Sequence, residues 1–301
     1  MTARLAVGFV ACLAIVVRPG IGVLGSQAGN QARRTLGDVL RSDGVTEASQ
    51  LPPEIRGQAI SAHLTERSAS GAIVLAWTRE DGHLFLARYA RLAGQAVPAA
   101  SQWRIADLEP EPGIGGSLSN LAVHDDFIYV TRHVNPSASL SIVVSAEDLR
   151  IRRELEGWAV AVLPGGAVVF HENQVHFAPT HSLALSVFDP VSGRDRRIYP
   201  PRQVSNVRRD FIERVRQVYR ARGEGWFREH NHHGDAEQFD SALVGAVAVD
   251  AAAKRLTFAV QFGDPQNGQD PLPFSTPVTV VCEPIDTPAR LAQLTCRERG
   301  R

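Results

Sequence analysis

The chain has 301 residues, 44% of them hydrophobic and 21% charged, which is enough apolar material for a folded core and too much for a disordered chain. Thirty-two basic residues balance thirty-two acidic ones, so the basic excess that marks a dedicated nucleic-acid binder is missing, and no nucleic-acid partner is expected. The basic residues are almost all arginine, with Lys254 the one lysine, a skew read as GC-rich bacterial coding.

The N-terminus carries an export signal. One positive charge in Met1 to Arg4 precedes a thirteen-residue apolar run, Leu5 to Val17, which Arg18-Pro19-Gly20 ends. A membrane-spanning helix needs about 20 apolar residues, so a signal peptide over 1–28 is expected, with Ser26-Gln27-Ala28 supplying small residues at the cleavage spacing. No membrane span is expected in the mature chain, and a periplasmic or extracellular location is expected for it. Removing the signal removes Cys12 and leaves Cys282 and Cys296, an even pair expected to form a disulfide in an oxidising compartment.

Residues 29–50 show no sustained hydrophobic period and read as a linker or flexible arm. From Gly71 onward, short runs rich in Val, Ile, Leu and aromatics alternate with turn residues about every 8 to 12 positions, the pattern of an all-β chain. Ala72 to Trp77 and Leu84 to Tyr89 flank Glu80-Asp81-Gly82, where Asp-Gly is a hairpin signal. Further runs are Leu118 to Val123, Phe127 to Thr131, Leu140 to Val144, Ala159 to Leu163, Ala167 to Phe170, Val175 to Phe177, Leu183 to Phe188 and Arg197 to Tyr199.

A loose recurrence links residues 120–130, residues 159–170, and residues 245–250 with 255–260. Together with Leu185 to Gly193 as an outer hairpin, this resembles the blades of secreted bacterial β-propeller proteins. The resemblance implies an irregular propeller-like array of about four to six blades over residues 51–301. A β-sandwich is the alternative. The all-β pattern is interrupted at 203–240, where Val204, Val207, Phe211, Val215 and Val218 recur at helical spacing and predict an amphipathic helix. Its arginines, Arg208, Arg209, Arg214, Arg216, Arg220 and Arg222, read as a solvated face.

The densest set of metal-ligand types follows the helix. In an extended chain His230 and His232 point to one side, and Asp235 adds a carboxylate for a zinc-like ion. His124, His133, His171, His176 and His181 sit near predicted strand ends, without an adjacent nucleophile motif. The functional expectation is a non-catalytic binding or scaffolding protein that recognises a protein or glycan through propeller loops, with no cofactor. The alternative is a metal-dependent hydrolase using His230, His232 and Asp235 around a divalent metal. A structural metal staple at the same residues is a third reading.

Overall fold

The computed structural model describes residues 34–89, 103–108, 116–135, 138–173, 183–200, 206–222, 240–263, 276–285 and 291–299. The described chain begins with a small helical cap. Helix α1 (Leu36–Ser42) starts at a capping box: the Thr35 hydroxyl accepts from the Asp38 N–H, and the Asp38 carboxylate accepts from the Thr35 N–H. Asp43 closes the helix and Gly44, at φ 73°, supplies the left-handed turn that reverses the chain. A 3₁₀ turn (Thr46–Gln50) and helix α2 (Pro53–Arg56), with proline in its first turn, complete the cap. Segment 34–50, without a period in the sequence, is thus helical and packed, with Leu36 and Leu40 fully buried.

Four strands follow as an antiparallel meander: β1 (Ile60–Arg67), β2 (Ile73–Arg79), β3 (Leu84–Tyr89) and β4 (Trp103–Asp107). Strand β2 is buried on both faces. Ile73, Leu75 and Trp77 pack under the cap, while Val74 and Ala76 face the next sheet.

The central sheet has seven strands: β5 (Ser117–Val123), β6 (Phe127–Asn135), β7 (Ala138–Ser145), β8 (Ile151–Val162), β9 (Val168–Glu172), β10 (Leu185–Asp189) and β11 (Arg194–Tyr199). Twelve-residue β8 joins its two halves. Residues up to Glu156 pair with β7, and Gly157 to Val162 pair with β9. At Gly157 the strand turns a corner, the device by which strands pass between packed layers. The Ala159 N–H there donates to Ser141 Oγ at 3.0 Å, and Asn120 Nδ2 donates to the Ala159 carbonyl at 2.7 Å. Tyr129, Val143, Leu155, Phe170 and Phe188 fill the space between the halves.

Helix α3 (Asn206–Arg222) leads to the third sheet, formed by β12 (Asp240–Asp250), β13 (Arg255–Gly263), β14 (Val278–Glu283) and β15 (Thr295–Arg299). Phe211 anchors α3 on Phe262, with ring centroids 5.8 Å apart, and Arg209, Arg214 and Arg220 lie exposed. Cys282 and Cys296 face each other across β14 and β15 and form the expected disulfide.

The propeller expectation is overturned. A propeller needs separate blades closed around an axis, whereas the described strands make three unclosed sheets of four, seven and four strands. These pack in layers: cap on first sheet, first sheet on β5–β7, and the β8–β11 half on the third sheet with α3. The layered arrangement fits the sandwich alternative. The recurrence read as blades is three copies of one local unit, the hairpins β5–β6, β8–β9 and β12–β13. An antiparallel meander has the same turn spacing whether its sheets stack or close, so periodicity could not separate the two.

Candidate functional site

The capped face of the first sheet carries the concave site. Strand β1 is an edge strand, and alternation places His63, Thr65 and Arg67 on the side of the sheet covered by the cap, paired across from Trp77, Leu75 and Ile73. Asp43, at the end of α1, reaches His63: Asp43 Oδ2 lies 2.6 Å from His63 Nε2. The imidazole is about a quarter exposed, with the carboxylate at 41%.

This pair stands in a cleft of about 580 Å³ lined by Asp43, Gly44, Val45 and residues 63–67. Gly44 and Val45 also wall a second hollow of about 440 Å³, which includes Arg41 and Arg56. The Thr65 Oγ1 atom is buried and has no hydrogen-bond partner among the described residues. Leaving a hydroxyl so costs about 1 to 3 kcal/mol. Glu66 points to the opposite face of β1, and desolvation there pushes its carboxyl above the usual range.

The arrangement contains the elements of general-base chemistry. A carboxylate on one imidazole nitrogen fixes its tautomer and stabilises the imidazolium once the other nitrogen takes a proton. Arg67, exposed four residues further along β1, lines the same cleft and gives its far end a positive charge.

A second polar cluster surrounds the corner of β8. His133 Nδ1 and Ser139 Oγ are 2.8 Å apart, and Asn173 bonds both the N–H and the carbonyl of Ser139, at 2.8 and 2.9 Å. Trp158 lies exposed between His133 and His171. The Glu172 carboxylate accepts from Ser186 Oγ and from the Arg197 guanidinium. Burial pushes that carboxyl up, but these donors outweigh it and hold it below the usual range.

His230, His232 and Asp235 lie outside the described residues, as do His176 and His181. Among the described residues no group of three or more His, Cys, Asp or Glu side chains converges as a metal site. His124 serves its own turn, its Nδ1 accepting from the Asp126 N–H at 3.2 Å. The structure brings His133 and His171 together around Trp158, which the sequence did not foretell. Asp43 and His63 were also missed, because twenty residues separate them and no motif has that form.

The fold and site define a layered all-β protein with a helical cap and a carboxylate–imidazole cleft beneath it. Comparison with models of known protein families and with the curated proteins finds no match to this chain. The binding function expected of propeller loops falls with the propeller, since the described strands form no blade array to present such loops. No described helix is long and apolar enough to cross a membrane.

Proposed function

We propose that the protein is a hydrolase of small anionic esters, with its reaction in the cleft between α1 and β1. The carrying observation is the 2.6 Å contact between Asp43 Oδ2 and His63 Nε2 at the cleft mouth. On this reading His63 takes a proton from water through its other nitrogen while the water oxygen attacks the ester carbonyl. Asp43 holds the imidazolium, His63 returns the proton to the departing alkoxide, and Arg67, further along the cleft, attracts the anionic end of the ester. The bonded pair Cys282–Cys296 and the apolar N-terminal run support a periplasmic or extracellular setting.

The test is a panel of p-nitrophenyl carboxylate esters (acetate, succinate and glutarate) assayed with wild type, Asp43→Asn and His63→Ala. Turnover that falls by about a hundredfold or more in His63→Ala supports the reading. Turnover unchanged by both substitutions, or absent from the whole panel, sinks it. Repeating the assay with zinc and with a chelator separates this site from a metal centre at His230, His232 and Asp235. Metal-dependent turnover that survives His63→Ala would move the chemistry to that segment.

A further inference from the structure

The corner of β8 displays a feature the hydrolytic cleft does not use. Trp158 is 45% exposed in a chain whose other described tryptophans, Trp77 and Trp103, are buried. His171, its partner across β9, lies nearly parallel to the indole, with an interplanar angle of 27° and centroids 6.3 Å apart. His133 stands almost upright against it, at 77° and the same separation. The three rings form one aromatic cluster, with the exposed indole between the two imidazoles.

The polar edges of this surface are oriented. His133 Nδ1 is engaged with Ser139 Oγ, and His171 Nδ1 with the Glu172 carbonyl at 2.7 Å, so a ligand would use the Nε2 of each ring. Glu156, two residues before Trp158, is exposed and adds a carboxylate acceptor. We infer that Trp158, with His133, His171 and Glu156 around it, is a binding site for one ring of an uncharged sugar. A pyranose has a face of C–H groups that lies on an indole and a rim of hydroxyls that the imidazoles and the carboxylate bond.

The charge of the site argues against an anionic ligand, since Glu156 adds a carboxylate and no unpaired guanidinium is among the groups around the indole named above. Glu172 and Arg197 neutralise one another next to the platform. Burial holds His171 toward its neutral form, so that ring adds no positive charge to the platform at neutral pH. The platform lies on the central sheet, apart from the α1–β1 cleft, and stands or falls independently of it.

The experiment titrates the full mature protein with cellohexaose, maltohexaose and chitohexaose, followed by calorimetry and tryptophan fluorescence. Saturable binding of at least one is expected, with Trp158→Ala weakening it by about tenfold or more and Trp158→Phe less. A thermal melt checks each variant, and Glu156→Gln, an exposed change, is the second reading if Trp158→Ala fails to fold. Binding that Trp158→Ala leaves unchanged, or no binding by any of the three sugars, overturns the proposal. Adenosine binding without sugar binding would also overturn it, in favour of a heteroaromatic ligand.

Discussion

Gly157 presents its Cα so closely to the carbonyl oxygen of His171 that any Cβ there would collide with it, and the Phe170 ring would stand 3.0 Å away. The corner of β8 is built on that approach. Gly157→Ala is therefore expected to force β8 and β9 apart and cost about 1 to 3 kcal/mol. Urea denaturation reads the loss, and a midpoint equal to wild type would show that the corner relaxes freely.

Asn173 does for Ser139 what a further strand residue would do, donating to its carbonyl and accepting from its N–H. Asn173→Ala leaves both backbone groups without that partner at the end of β7. The expected cost is about 1 to 2 kcal/mol, and hydrogen exchange should rise first at the Ser139 amide.

Acid should weaken the protein in two steps. Burial depresses the His171 pKa in the folded state, so the unfolded chain binds the proton more readily, and stability falls as pH drops below the ordinary histidine value of about 6.5. The depressed pKa of Glu172 adds stability that is present above the ordinary carboxyl range and lost as pH falls through and below it. Denaturation midpoints between pH 8 and pH 3 measure both. His171→Gln should flatten the first step and leave the second.

Glu66 has the opposite sign. Its carboxyl is pushed up by partial desolvation, so its charge opposes folding at neutral pH. Glu66→Gln should stabilise slightly at pH 7, by less than about 1 kcal/mol because the residue is partly solvated, and should have no effect near pH 3. Destabilisation at pH 7 would contradict this account.

Cys282 and Cys296 are 14 positions apart, and their bridge restricts the unfolded chain by about 3 kcal/mol in the loop-entropy model. Replacing both with serine should lower the melting temperature and loosen β15 before the central sheet. A reducing agent should reproduce the shift in wild type and leave the double variant unchanged.

Much of the local structure was legible in the sequence. Asp81-Gly82 marked the β2–β3 hairpin, with Gly82 at φ 89°, and the spacing through Phe211 marked α3. Alternation and turn chemistry act between near neighbours, so they survive without knowledge of the fold. The cap was not legible. Leu36 and Leu40 are four residues apart and fully buried, but a seven-residue helix between polar turns carries too short a stripe to show a period.

By itself the sequence determined an all-β chain with one long helix, and two cysteines placed to pair, because these follow from patterns within a few residues or from simple count. The tertiary structure decided that the sheets stack in layers and do not close, that Gly157 is a corner, and that Asp43 meets His63 and Trp158 meets two histidines. Each of these depends on which faces come together across long chain separations, and a meander with the same local pattern has several ways to bury the same apolar faces.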